Sequence, residues 1–281
     1  MAQTLQSINP PSEIKNLFII AKFELVRLFL TPRGLVSLVT FAVIWYFLLR
    51  YPVNLAADVV MSADFSDTIS TKFGELGLAN LLKWQVPEMA VYWVISLYVF
   101  PLFSILITAD QTCSDRSRGT LRFLSLRTSR DSIFFGRFLG QMLILAILII
   151  ATLIGAILLA VWKNSYVFGD ALQVSLLIGV NLFIVLLPFT AMMALISATV
   201  RSARLSTMLA IISWGLLTGF TAWLAIKYPA TQFLQGWLPG GQRIDLVKSN
   251  GWETLSYILL PLIQMVFFLL AGRYFMRRSS L

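Results

Sequence analysis

Apolar residues gather along the chain in six long runs, each bounded by charges or by glycine and proline: Gly34–Leu49, Met89–Ala109, Ser132–Trp162, Ala171–Val200, Leu205–Ile226 and Thr254–Gly272. A helical crossing of a bilayer core needs about 20 apolar residues. The pattern therefore predicts an all-α membrane protein with six transmembrane helices. The first run is short for a crossing. The third is long; at 1.5 Å per residue it reaches roughly 46 Å, so one end should project beyond the hydrocarbon, and the end carrying Asp131 and Arg137 is the one expected to do so.

Ahead of the first run, Glu13 to Thr31 sets Leu17, Phe18, Ile20, Ala21, Leu25, Leu28 and Phe29 among Lys15, Lys22, Glu24 and Arg27 at near-helical spacing, and Pro32 stops the pattern. This predicts an amphipathic helix lying at the membrane interface, distinct from the first span. The simpler alternative is a charged extension of that span. Residues 1–32 thus form an N-terminal segment with an interface helix, and 33–281 a six-helix transmembrane domain. The first residues carry no charge before Glu13, so no cleaved signal peptide is expected.

Between the spans, the segments Arg50–Glu88 and Lys227–Glu253 are large. The first suggests a short surface or re-entrant helix around Phe73 to Trp84. The second, with Trp237, Pro239, Gly240, Gly241 and Trp252, reads as turns and interfacial aromatics.

Composition agrees with this layout: 58% of the 281 residues are apolar, 12% are charged, and the mean hydropathy is +0.81. The net charge of +9 would suit nucleic acid, but its distribution points elsewhere. Divided by the six spans, one side holds fifteen Lys/Arg against five Asp/Glu, and the other seven against eight, or +10 and −1. The positive-inside rule then places both termini in the cytoplasm. Nucleic acid is not an expected partner; the lipid bilayer is.

Histidine is absent and Cys113 is the single cysteine, which removes imidazole catalysis, an internal disulfide and the usual metal ligands. Within the spans, Arg137 is the one ionisable group away from the boundary charges, so no acid or lysine lies at depth to carry a coupling ion or proton. The work of such a chain must be driven from outside it. Gln141, Gln173, Asn181 and Gln264 are expected to hydrogen-bond between helices, and Gly136 with Gly140 to permit close helix packing. Pro101, Pro188 and Pro261 fall within spans and are candidate hinges.

Charge is densest from Asp110 to Arg137, between the second and third spans. Gly119 punctuates this connection, Thr120 is a candidate cap for a short helix, and Ser129 to Asp131 starts the next. Leu121, Phe123, Leu124, Leu126 and Phe134 would be partly exposed there, at up to about 1.5–3 kcal/mol each if fully so. A positive-inside loop accounts for the arginines but not for these apolar residues. A cytoplasmic partner or the interface must cover them.

With AKFELVRLFLTPRGL before the first span and DRSRGTLRFLSLRTSRDSIFFGRFLG between the second and third, the chain resembles the permease subunit of ABC-2 type transporters. Asp115, Gly119, Thr120, Leu121, Leu124, Ser129, Arg130 and Arg137 match that pattern, whereas Ser117 stands where a second glutamate is common and Arg127-Thr128 where a small residue and proline often occur. The resemblance implies a membrane-spanning subunit of an exporter in a bacterial inner membrane, pairing with a second permease copy, most simply as a homodimer, and with two ATP-binding subunits. Asp115, Arg116, Arg118, Gly119, Thr120, Leu121, Arg122, Phe123, Leu124 and Arg127, within a coupling region spanning 110–131, would dock on the ATPase, with a second contact at Arg201 and Arg204. No GxxxxGK[ST] sequence occurs, so ATP and magnesium are expected in the partner and no cofactor in this chain, which would not itself be an enzyme. A different class, a membrane scaffold that recruits a cytoplasmic partner without transport, fits the composition as well. An integral membrane enzyme does not, because Glu88, Asp110, Asp170 and Glu253 sit at separate span ends. The spans name no substrate.

Overall fold

The computed structural model describes residues 13–55, 84, 86–249 and 251–278, and every element among them is helical. α1 (Glu13–Leu30) ends at Thr31, whose extended backbone turns the chain and whose hydroxyl accepts the Gly34 amide at 3.1 Å. α2 (Pro32–Leu48), the first span, starts with Pro32 in its first turn, where a missing amide hydrogen is no loss. The break makes α1 a separate helix rather than an extension of the span.

A π turn, Leu49–Val53, carries α2 past the expected stop at Leu49 and gives a 20-residue crossing, Gly34–Val53. The widened turn accommodates Pro52, which a regular α-turn would not. The first span is therefore of ordinary length.

The remaining spans are α3 (Pro87–Ile107), α6 (Arg130–Lys163), α7 (Phe168–Thr199), α8 (Ala203–Lys227) and α11 (Leu259–Arg278), the last preceded by a 3₁₀ segment, Gly251–Ile258. Two short helices, α4 (Cys113–Ser117) and α5 (Thr120–Arg127), join α3 to α6, and two more, α9 (Phe233–Gly236) and α10 (Arg243–Lys248), lie between α8 and α11. Among the described residues, six helices are long and apolar enough to cross a membrane. The expected helix around Phe73 to Trp84 lies, Trp84 apart, outside the described residues.

α7 is the central helix, packed against α3, α6, α8 and α11, while α2 and α8 show most of their surface outward. Trp45, Tyr92 and Phe100 meet with ring centroids 5.0–5.5 Å apart between the first and second spans. Tyr92 also shares a 2.8 Å hydrogen bond with Thr152 of α6. Asn181 donates to Thr254 at 2.8 Å, Gln141 to Glu24 and Gln264 to the Trp237 carbonyl, as expected of polar residues between helices. Gln173 is instead exposed.

Both ends of the bundle carry identifying contacts. Arg130 donates to the Arg277 carbonyl at 2.9 Å, Asp131 pairs with Arg273 and Arg277, and Ser132 reaches the Glu13 carbonyl, so the starts of α1 and α6 and the end of α11 share one end. This is the basic end. At the other, Lys163 lies 3.4 Å from Glu88 and 3.2 Å from the Asn54 carbonyl.

The segment between α8 and α11 corrects the expectation of an interfacial loop. The Trp214 indole donates to the Pro239 carbonyl at 3.1 Å, Gln264 donates to the Trp237 carbonyl at 2.7 Å, and Gly240, at φ +79°, packs so closely on Phe189 that a Cβ there would lie 3.0 Å from the ring. Trp214 lies near the middle of α8, roughly 16 Å from its start. The segment is a re-entrant hairpin whose tip reaches the mid-depth of the spans. Its turn backbone meets helices rather than the membrane surface, while the Trp237 and Trp252 side chains remain exposed, as expected of interfacial aromatics.

Candidate functional site

The connection between the second and third spans is built around Gly119. Its φ of +71° is left-handed, open to glycine at no steric cost, and lets the chain reverse between α4 and α5. Gly119 occupies the cap position expected of Thr120. The Thr120 hydroxyl instead donates to the Asp115 carboxylate at 3.0 Å, across the reversal.

α5 has two unlike faces. Leu121 is 2% exposed and joins Ile133, Phe134, Ala194, Ala198 and Met276 in a cluster that anchors the helix to the bundle. Phe123 and Leu126 are 73% and 83% exposed, Leu124 lies beside them, and Arg122 and Arg127 are exposed on the same helix. Of the five apolar residues expected at the surface, Leu121 and Phe134 are thus interior, because α5 lies along the bundle instead of standing away from it. The outward face combines apolar and basic side chains.

Beneath this face lies an ion cluster that the sequence did not announce. Arg137, expected near a projecting helix end, is buried, and its guanidinium donates to Glu24 of α1 at 2.5 Å and to Asp115 of α4. Gln141, one turn further along α6, donates to the same Glu24 at 3.1 Å. Arg27 reaches Asp110, at the end of the second span, at 2.8 Å, and Asp110 in turn accepts the Ser114 amide and hydroxyl at 2.9 and 2.6 Å. Burial pushes the Glu24 carboxyl above its ordinary range, against the opposing pull of Arg137 and Arg27. Desolvation thus outweighs pairing, as is common for buried ion pairs.

The cluster closes because α1 and α6 approach within glycine distance. A Cβ on Gly136 would lie 2.9 Å from Ile20, and one on Gly140 would lie 2.8 Å from Glu24 and 3.1 Å from the Ala21 carbonyl. The close packing expected of this pair is present, and its partner is the interface helix. Leu17, Ala21, Glu24 and Leu28 form one stripe of α1, and a single acid in an otherwise apolar stripe was the available signal for a buried counter-ion. Phe18, Phe23 and Leu30, off this stripe, remain exposed, as does Ile14 at the start of the helix.

Other expected residues fall around this centre. Arg116 points inward and donates to the Ala198 carbonyl at 2.5 Å, while Arg201 and Arg204 are exposed at the turn between α7 and α8. Pro101 and Pro188 are interior to α3 and α7, whereas Pro261 sits in the first turn of α11.

The sequence model for the ABC-2 family transporter proteins matches residues 18–242, from within α1 to the re-entrant hairpin. The chain belongs to that family. No curated protein matches it. Membership makes this ABC-2 chain a multi-pass membrane permease, and the family implies partnership with an ABC ATPase. The match takes in both the α4–α5 connection and most of the ion cluster's supporting helices. Among the described residues no group of His, Cys, Asp or Glu is placed to hold a metal ion.

Proposed function

We propose that this chain is the translocating subunit of an ABC exporter, driven through the outward face of α5 by a separate ATP-hydrolysing subunit that holds ATP and magnesium. The observation that carries this reading is the exposure of Phe123, Leu124 and Leu126 beside Arg122 and Arg127, on a helix whose other side is locked into the bundle. Such a face fits a partner groove with an apolar floor and acidic rim. Arg201 and Arg204 extend the same basic surface. The buried pairs from Asp115 to Arg137 and Glu24 would make α1, the connection and the third span move together when the partner closes. Both termini would then be cytoplasmic, in a bacterial inner membrane.

Coexpression with the ATPase tests the docking face. Phe123→Asp and Leu124→Asp are expected to abolish a stable complex while the permease still inserts and purifies normally. Retention of the complex, with normal ATPase coupling in both variants, would rule out this face.

A second copy is part of the same proposal. Along α8, Met208, Ile212, Gly215, Gly219 and Trp223 form one outward stripe, and the space beyond both glycines is open. A small-xxx-small pair in an unpacked span suits close approach of an identical helix. Gly215→Leu with Gly219→Leu is expected to shift the purified protein from dimer to monomer in light scattering, with little change in its melting midpoint. An unchanged dimer would remove α8 from the interface.

A further inference from the structure

The re-entrant hairpin brings one charge to the middle of the molecule. Arg243, the first residue of α10, lies with its guanidinium 5.0 Å from the Tyr98 ring of α3 and 5.4 Å from the Trp214 ring of α8. Both aromatics sit near the centres of their spans, roughly 14–20 Å from either end. The sequence places Arg243 in an outer loop; the fold places it at depth, beside spans that themselves carry no charge there.

This arginine has no counter-ion among the described residues. Its Nε donates to the Gly240 carbonyl at 2.7 Å, which holds the fork in place and leaves both terminal nitrogens without an acceptor among the described residues. Asp245, the nearest acid in sequence, is exposed. An ionisable group at membrane depth is costly and is normally paired, or else serves a pathway. The hairpin that delivers it is fixed by Trp214, Gln264 and Phe189, so the position is preorganised rather than incidental.

We infer that Arg243 binds the anionic group of an amphiphile, a carboxylate or phosphate, and so marks the substrate class of the permease. The planar fork offers paired donors matched to either anion. Tyr98, Leu102 and Leu106, exposed at successive turns of α3, run from the guanidinium toward the basic end and supply an apolar track for the tail. The two flanking rings keep water from the ion pair and so strengthen it. The inference rests on the permease reading for the word substrate, but anion binding itself does not depend on an ATPase. The same chemistry could come from an anionic bilayer lipid or from a separate cargo.

The test uses the full chain in phosphatidylcholine nanodiscs without any ATPase subunit. Dodecyl phosphate and dodecyltrimethylammonium are titrated separately, with tryptophan fluorescence and melting midpoint as readouts. Dodecyl phosphate is expected to bind saturably and at least tenfold more tightly than the ammonium. Arg243→Gln should abolish that preference, and Arg243→Lys should keep the charge preference but weaken binding severalfold. Equal binding of the two probes by the unmodified protein overturns the inference, as does a preference that survives in Arg243→Gln; the first of these requires no variant to fold. Phosphatidylglycerol added to the nanodiscs separates the sources: competition assigns the site to bilayer lipid, and its absence to another amphiphile. Failure of ATPase docking alongside selective anion binding would remove the permease coupling and leave this site standing.

Discussion

Arg137→Met should lower the stability of the permease by about 3–5 kcal/mol, because it leaves Glu24 and Asp115 without the guanidinium they share in a buried site. The loss is read as a fall in the denaturant midpoint in detergent. Adding Glu24→Gln and Asp115→Asn to the same protein should restore most of it, since exchanging a whole buried ion group for neutral residues is often close to neutral. The raised Glu24 carboxyl points the same way: its ionised form is held at a net cost. A triple variant as unstable as Arg137→Met alone would show that volume, not charge, makes Arg137 necessary. If the triple variant is stable yet couples poorly to the ATPase, the cluster serves to link α1, α4 and α6 rather than to hold the fold.

That separation explains how much of the molecule was legible beforehand. Six apolar runs and Pro32 were enough for the spans and for a distinct interface helix, because hydropathy and proline act locally. Gly136 and Gly140 announced close packing for the same reason. Their partner was hidden, since α1 lies more than a hundred residues away and nothing local records which helix will fill a small-residue groove. Arg137 looked like a boundary charge because its counter-ions come from α1 and α4. Arg243 was the least legible of all. Its surroundings, with Pro239, Gly240 and Gly241, are composed like an aqueous turn, and only tertiary hydrogen bonds to Trp214 and Gln264 draw it inward. The outward face of α5 was half legible: composition required cover for five apolar residues, but helix phase decided that Leu121 and Phe134 face the bundle while Phe123 and Leu126 face out.

The two charged centres divide the permease by depth. At the basic end, every charge in the cluster has a partner, which suits a rigid link. At mid-depth, Arg243 has aromatic neighbours and no acid among the described residues, which suits transient occupancy by a ligand. A force applied at α5 reaches the third span directly through Asp115 and Arg137. It reaches the hairpin by way of α7, which packs on both α6 and α8 and meets Gly240 at Phe189.

Gly140→Leu is expected to detach α1 from the third span. Even a methyl group at this position would meet the Glu24 side chain at 2.8 Å and the Ala21 backbone at 3.1 Å, and a backbone contact cannot be relieved by a change of rotamer. Overpacking of this kind usually costs about 1–3 kcal/mol. Leucine is far larger than that gap, and separating the helices would also pull Glu24 from Arg137 and Gln141, so the expected loss approaches that of Arg137→Met. Hydrogen exchange distinguishes detachment from general unfolding. Amides of α1 should lose protection while those of α7, the most enclosed span, keep theirs. Gly215→Leu, the same substitution on the open face of α8, should leave α1 protected, because no atom lies within 4 Å of the added Cβ. Equal loss of protection in α1 and α7 would mean that the interface helix is part of the folding core. Selective loss, accompanied by release of the ATPase, would make α1 a dockable lever held to the third span by two glycines and one arginine.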